Sequence, residues 1–263
     1  MTILTSRGHF ASEYMKHYSA EVVSIRELGD KIFWKKIGNA KKIIHNAASI
    51  DCEGLNDCTT KNFDFSRKII DYLSENNPTV NFTYISSMSI LDPISDRDYL
   101  DPCKMTPYAF SKYITEIYGM KSKIVNFKSI RFSTLFYQDS SKDGLSKLVH
   151  DAVLNKKINI YNGGEATRDF MPLKIAVAYT EKVVKLINRE KKLFNIVTGK
   201  ETSFREIAQF LEKIIPNLRV IDIKNINNSS PVLSKFHGDS IKSLGIIKFN
   251  IKREIMNYIK NIK

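Results

Sequence analysis

Glycine and proline are scarce here, at 11 and 7 of 263 residues. That excludes collagen-like repeats and long disordered linkers, and neither a low-complexity stretch nor an internal repeat interrupts the chain. There are only three cysteines, Cys52, Cys58 and Cys103, and none has metal-ligand spacing. Their odd number argues against a disulfide-stapled scaffold and suits reduced thiols in a cytoplasmic protein. No apolar run reaches the roughly 18 residues of a membrane span. The opening residues, Met1 to Ser6, lack the basic and apolar regions of a signal peptide, so no leader is expected there. Acidic residues are outnumbered 28 to 41, which leaves a net charge of +13. Such an excess can mark a nucleic-acid binder. Here the lysines are scattered in pairs (Lys35-Lys36, Lys41-Lys42, Lys156-Lys157), with no arginine-rich arm and no aromatic-basic repeat. The expectation is a solvated basic surface with a mild attraction for small anions, and neither a nucleic-acid nor a membrane partner.

Hydrophobic residues make up 43% of the chain, ample for a large core. They are arranged in an alternating rhythm. Ile3 to Thr5, Glu21 to Ile25, Lys42 to Ala48, Phe82 to Ile85 and Lys128 to Phe132 read as strands. Phe10 to His17, Lys61 to Asn76 and a segment opening at Tyr108 read as helices. Strands alternating with helices predict βαβ units and a parallel sheet. After Phe136 the rhythm breaks. Helices are expected at Leu145 to Asn155, Ser203 to Ile215 and Lys252 to Lys260, and strands at Ile158 to Tyr161, Phe194 to Val197 and Val220 to Ile223. Ser203 with Glu206 forms a capping-box pattern. The fold expected is α/β: a doubly wound, Rossmann-type parallel sheet over residues 1–136, to which a segment near 171–198 returns. A smaller C-terminal α/β substrate lobe is expected over 137–263.

Within this frame lies Tyr108-Ala109-Phe110-Ser111-Lys112, preceded by Ser86-Ser87 at the end of an apolar strand. Residues four apart on a helix share a face, so Lys112 can sit beside Tyr108. Tyr108 follows Pro107, a residue suited to the first helical turn. A free tyrosine has a pKa near 10, and bringing it to about 7 takes roughly 4 kcal/mol of differential stabilisation. A lysine ammonium and an oxidised nicotinamide, both positive, can supply that. Ser87 would hold a substrate oxygen while Tyr108 passes the proton. In open α/β sheets such sites lie at the carboxyl ends of strands, where Ser87 stands.

The first strand-to-helix turn should carry a phosphate-binding glycine motif. The best register is Thr5-Ser6-Arg7-Gly8-His9-Phe10-Ala11, with the first glycine lost to Thr5. Gly8 still lets the backbone approach a pyrophosphate, Ala11 permits close helix–strand packing, and Thr5 must make the turn without glycine's freedom. Together with His45-Asn46-Ala47-Ala48, Asn62, Ile130-Arg131-Phe132-Ser133, Gly164 to Phe170 and Phe194-Asn195-Ile196, these segments resemble the extended short-chain dehydrogenase/reductase family, in its nucleotide-sugar epimerase, dehydratase and reductase branch. The resemblance runs through nearly the whole chain.

That resemblance implies Ser87, Tyr108 and Lys112 as the catalytic group, and Ser6, Arg7, Gly8, His9, Phe10, Asn46, Ala47, Ala48, Lys112, Ser133 and Leu135 along the cofactor. It implies Ser87, Met88 and Arg168 at the substrate, with Arg168 gripping the diphosphate, a task suited to a bidentate guanidinium. NAD-preferring members carry an acidic residue at the end of the second strand. Arg26 stands there instead, which with Arg7 implies NADP, NAD remaining open. No resident metal is implied. The expected activity is NADPH-dependent reduction of a nucleotide-linked 4-keto-6-deoxysugar for surface polysaccharide synthesis, by a homodimer. An NAD(P)-dependent nucleotide-sugar epimerase is the second reading, and a catalytically silent nucleotide-sugar or dinucleotide binder the third. A dehydratase would need an acid/base pair beside Ser87, where only Met88 and Ser89 follow. The family pattern departs at three points. The stretch from Ile25 to Ile43 is short, so a strand is expected to be missing or reduced. Leu91 stands where epimerases carry an aromatic residue. The C-terminal half is compact.

Overall fold

The computed structural model describes residues 1–91, 100–186, 191–224 and 239–262. In chain order the elements are β1 (Thr2–Leu4), α1 (His9–Met15), β2 (Glu21–Val22), α2 (Lys31–Gly38), β3 (Lys42–His45), α3 (Gly54–Cys58), α4 (Phe65–Asn76), β4 (Asn81–Ser87), α5 (Pro107–Lys121) and β5 (Asn126–Phe132). They continue with β6 (Thr134–Phe136), α6 (Gly144–Asn155), β7 (Lys157–Tyr161), β8 (Thr167–Arg168), β9 (Phe170–Pro172), α7 (Leu173–Lys185), β10 (Leu193–Ile196), β11 (Thr202–Ser203), α8 (Phe204–Ile214), β12 (Arg219–Ile223), α9 (Asp239–Leu244) and α10 (Ile251–Asn261). Among the described residues the chain divides into two compact units. One holds residues 1–91, 100–132 and 176–196, the other 133–175 and 197–262.

The first unit is a six-stranded sheet in the order β10-β5-β4-β3-β1-β2, with every pairing parallel. This is the Rossmann-type arrangement the alternating pattern predicts. Register places Ile3 beside Ile43, Ile43 beside Phe82, and Phe82 beside Phe127, which builds one apolar row across four strands. That row joins Phe33, Ile37, Ile69, Ile70 and Leu73 from α2 and α4 in a buried core. Between Ile25 and Ile43 the described chain holds a 3-10 turn and α2 but no strand, so β2 is the sheet's edge. The chain runs outward from β1 to both sides, to β2 and to β3, and this makes the carboxyl ends of β1 and β3 the switch point.

The caps explain where helices begin. Thr106 caps α5 by accepting the Ala109 N–H at 3.2 Å, with Pro107 at its first position. Ser203 and Glu206 form the full capping box at α8. Asp30 caps α2, a helix the sequence reading passes over, by accepting the Ile32 N–H. Strand β2 ends at Val22, well before Arg26, because Ile25 to Glu27 turn into a 3-10 helix. The expectation of three reduced thiols is overturned: Cys52 and Cys58 form a disulfide, their Cα atoms 5.0 Å apart, and Cys103 alone is free. Parity of the count says nothing about proximity, and α3 folds the chain back so that cysteines six apart meet.

The second unit packs α6, β7, α8 and α10 around a separate core of Phe136, Leu148, Ile158, Phe170, Leu211, Ile255 and Tyr258. Three two-stranded pairings, β6 with β9, β7 with β12 and β8 with β11, complete it. No helix among the described residues is long and apolar enough to cross a membrane.

Candidate active site

In the first unit, β4 delivers Ser87 at its carboxyl end and α5 delivers Tyr108 and Lys112 from consecutive turns of one face. Lys112 is buried, and its Nζ donates to the Ile85 carbonyl oxygen at 2.8 Å, two residues before Ser87. The ammonium lies 4.9 Å from the Tyr84 ring centre and 5.9 Å from that of Tyr108. The structure therefore brings the lysine both to the tyrosine and to the strand end that carries the serine. Burial drives the Lys112 pKa down to about 7, opposed by the neighbouring Glu116 carboxylate. Glu116, one turn further on, is itself held by Arg131 Nη2 at 2.6 Å and by the Ser129 hydroxyl at 2.8 Å, all three residues buried.

Ser87 Oγ accepts the Ser89 N–H at 3.1 Å and the Ser89 hydroxyl at 2.9 Å. With both acceptor positions engaged, its own proton is available for donation. Met88, beside it, is buried. Beneath the tyrosine runs a polar chain. Asn62 Nδ2 donates to Ser111 Oγ at 3.1 Å, and the Ser111 hydroxyl donates to the Tyr108 carbonyl at 2.7 Å. Asn62 also receives the Ser49 N–H at 2.7 Å and donates to the Ser49 carbonyl at 3.0 Å, tying down the loop after β3.

The glycine-poor turn lies at the carboxyl end of β1. Thr5 is buried, Ser6 half-buried, and Arg7 and Gly8 exposed. Helix α1 opens at His9, followed by the buried Phe10 and Ala11. A Cβ built on Gly8 meets nothing within 4 Å. Asn46 and Ala47 are half-buried and Ala48 is exposed at the end of β3. His45, fully buried, joins Thr5 Oγ1 at 2.7 Å to Ser66 Oγ at 2.7 Å. Burial, with the Lys112 charge second, pushes its pKa down to about 3, so the imidazole is neutral.

Arg26 is exposed. An acidic residue does stand at this edge, contrary to the sequence reading. Glu27 accepts the Ser24 N–H at 3.3 Å through one carboxylate oxygen and pairs with Arg7 Nη2 at 3.2 Å through the other. A strand reaching Ile25 would end at Arg26, whereas the 3-10 turn at Ile25 to Glu27 brings Glu27 to this edge.

In the second unit, Ser133 is buried and its hydroxyl donates to Asp169 Oδ1 at 3.1 Å, while Leu135 lies half-buried on β6. The other Asp169 oxygen accepts the Thr198 and Gly199 N–H groups at 2.8 and 2.9 Å. Asp169 thus fastens β9, the β5–β6 connection and the 198–199 turn together. Burial raises its pKa in spite of these donors. Arg168, half-buried with its pKa lowered by burial, donates from Nη1 to the Thr167 carbonyl at 2.7 Å. It lines a cavity of about 710 Å³ together with Lys147, Asp151, Ile158, Tyr161 and Phe204. The rim turn needs glycine at Gly164. Its φ is +69°, and a Cβ there would lie 2.6 Å from the Arg205 backbone nitrogen.

A parallel sheet with a tight turn at its switch point, and a serine and a Tyr-x-x-x-Lys helix at its strand ends, is the arrangement of the extended short-chain dehydrogenase/reductase class. The chain belongs to the NAD dependent epimerase/dehydratase family, whose sequence pattern matches residues 32–196. A protein of Methanocaldococcus jannaschii assigned as a UDP-glucose 4-epimerase is 25% identical over 131 residues, which span 46% of this chain and 40% of that protein. This match therefore covers less than half of its curated relative. Among solved structures, MoeE5 in complex with UDP-glucuronic acid and NAD has a TM-score of 0.81 at 16% identity, covering 98% of this chain and 97% of its own. The UDP-glucose 4-epimerase of Thermotoga maritima with UDP-glucose has a TM-score of 0.81 at 15% identity, covering 99% and 98%. The UDP-glucuronic acid 4-epimerase of Bacillus cereus, in complex with UDP-glucuronic acid and NAD, has a TM-score of 0.78 at 17% identity over the whole of both chains. At these identities the likeness is one of fold.

Proposed function

We propose that this chain exchanges hydride between a nicotinamide dinucleotide and the sugar of a nucleoside diphosphate sugar, as a step in deoxysugar or surface-polysaccharide synthesis. The setting of Lys112 carries the reading. What sets it apart from the buried Lys128 is its company: it is fixed to the strand end that carries Ser87 and shares a helix face with Tyr108. The first unit fits the cofactor: Gly8 leaves open space where a pyrophosphate needs close approach, and Lys112 would meet its ribose. Ser6 to Phe10, Ala47 and Ala48 would line it in this unit. When bound, the dinucleotide supplies or accepts the hydride. Tyr108 gives a proton to, or takes one from, the sugar oxygen. The positive charge of Lys112 favours the phenolate, and the Ser87 hydroxyl donates to that same oxygen. Arg168 and its cavity would hold the nucleoside diphosphate.

The finer reading is NADPH-dependent reduction of a 4-keto-6-deoxysugar nucleotide, supported by Arg7 and Arg26 at the edge where a 2′-phosphate would lie. Glu27 favours a second reading, an NAD-dependent epimerase, because a carboxylate there suits a free ribose hydroxyl and occupies Arg7. Incubation with a panel of nucleotide keto-sugars, following the absorbance of the reduced nicotinamide, separates the two. Net consumption of NADPH supports the reductase. Interconversion of UDP-sugars without net consumption supports the epimerase. Dinucleotide binding without either leaves the silent binder. Arg26→Ala weakens NADPH binding far more than NADH binding on the reductase reading, and equal losses refute the 2′-phosphate assignment. Phe110, Tyr113, Ile114 and Ile117 leave an apolar stripe exposed or half-exposed on α5, opposite its buried face, and support a homodimer measurable by light scattering.

A further inference from the structure

The loss of the first fingerprint glycine raises the question of what steers the turn after β1. None of Thr5, Ser6 or Arg7 has a positive φ, and Gly8 is extended with φ of 178°. The chain therefore crosses from β1 to α1 without a left-handed residue. Two side chains from the end of β3 set its course. The tautomer of the first follows from its partners. The Ser66 hydroxyl donates to the Asn62 carbonyl at 2.6 Å, so it can only accept from His45 Nε2, and Nδ1 is left to accept the Thr5 hydroxyl. The second is Asn46. Its Oδ1 accepts the Thr5 N–H at 3.1 Å and its Nδ2 donates to the Ser6 carbonyl at 3.2 Å.

The peptide planes then follow. The Leu4 carbonyl accepts the Val23 N–H at 2.9 Å, while the Thr5 N–H is shared between Asn46 Oδ1 at 3.1 Å and the Ile44 carbonyl at 3.3 Å, so the Leu4–Thr5 plane is fixed at both ends. No peptide bond among the described residues is cis, and in a trans peptide the C=O and N–H point opposite ways. With the Ser6 carbonyl drawn to Asn46, the Arg7 N–H is directed away from β3, on the approach to the exposed Gly8. We propose that Asn46 is a positioning residue for the dinucleotide: its amide grips the turn on two peptides, Leu4–Thr5 and Ser6–Arg7, either side of the Thr5–Ser6 peptide, and does by side chain what the missing glycine does by backbone freedom. The residue taken from the sequence as lying along the cofactor thus acts through the turn.

This rests on the dinucleotide-binding reading. The test compares the wild type with Asn46→Leu, which removes both bonds, and Asn46→Asp, which keeps an acceptor for Thr5 but sets a carboxylate against the Ser6 carbonyl. Dinucleotide affinity is read by nicotinamide fluorescence or calorimetry, and UDP affinity by calorimetry as the control. Loss of two hydrogen bonds predicts dinucleotide binding about 10- to 100-fold weaker. The dinucleotide KM should rise by that factor, with a much smaller fall in kcat at saturation, a split that general loosening of the fold would not produce. UDP affinity should be unchanged. Dinucleotide affinity unchanged in either folded variant overturns the proposal, and so does parallel loss of dinucleotide and UDP binding. A wild type that binds no dinucleotide removes the cofactor reading as well, which separates that failure from failure of the Asn46 role alone.

Discussion

Acidification should unfold this protein through His45. The imidazole is fully buried, its ring within 5.7 Å of the Phe65, Phe82 and Tyr84 rings, with Lys112 nearby. Its Nδ1 already accepts the Thr5 hydroxyl, so a second proton would force that hydroxyl to turn from donor to acceptor and would leave a charge in an aromatic surround. The folded pKa is about 3, against 6.5 for the free group. Because the folded value is lowered, the unfolded chain takes up the proton first. The stability is complete above about pH 6.5 and is lost as pH falls towards 3. At most one proton is involved, giving about 1.4 kcal/mol per pH unit, so the loss between pH 7 and 5 is about 2 kcal/mol. That is a large fraction of a typical stability of about 5–15 kcal/mol. Urea unfolding read by Trp34 fluorescence suits the assay, since this single tryptophan packs against the same core as His45's strand. His45→Gln keeps one acceptor and one donor but cannot titrate. It should be less stable than wild type at pH 7, and that gap should narrow by about 2 kcal/mol at pH 5. Other titrating groups cancel in the difference. Parallel pH profiles for the two proteins would refute the reasoning.

Tyr108→Phe should lower turnover by roughly 10²-fold or more while leaving dinucleotide binding in place; normal turnover would make Tyr108 a packing residue. Arg168→Ala should raise the apparent KM for the nucleotide sugar about 10- to 100-fold, the loss of a charge-assisted bond, with NAD(P) affinity little changed. Calorimetry with free UDP checks this, and equal binding by variant and wild type sinks the role. Cys52→Ser should cost about 2 kcal/mol, from the small loop the disulfide closes, in urea titrations without reductant. Thiol counting on the denatured wild type should find one reactive thiol before reduction and three after.

The parts of the fold legible in the sequence are those written locally. The strands of the sheet are short apolar runs, Ser203 and Glu206 announce α8, and Pro107 announces α5. The Ser87, Tyr108 and Lys112 positions follow from a strand end and a helical spacing. What escaped depends on residues far apart in the chain. Helix α2 carries three lysines in eight residues, and only Phe33 and Ile37 of it are fully buried. Strand β5 carries two cations, Lys128 and Arg131, inside an apolar run. Both are buried, Lys128 against the Leu186 carbonyl at 2.6 Å and Arg131 against Glu116. Pairings such as β6 with β9 span more than thirty residues and have no local signal. The resemblance puts Asn46 along the cofactor, but its bonds to the turn after β1 become visible only when β1 and β3 are laid side by side.

The two-residue strand β2 has a bearing on colloidal behaviour. A sheet that ends one strand early would ordinarily offer a row of unpaired backbone groups, a template on which a second chain can add and start an aggregate. Here the exposed border is cut to Glu21 and Val22 before the chain turns into a 3-10 helix, and Glu21 is held by Lys36 from α2. A border this short and this charged offers too little for a foreign strand to register against. Lengthening it, for instance by replacing Ser24 and Arg26 with β-branched apolar residues, would turn a quiet margin of the molecule into an adhesive one.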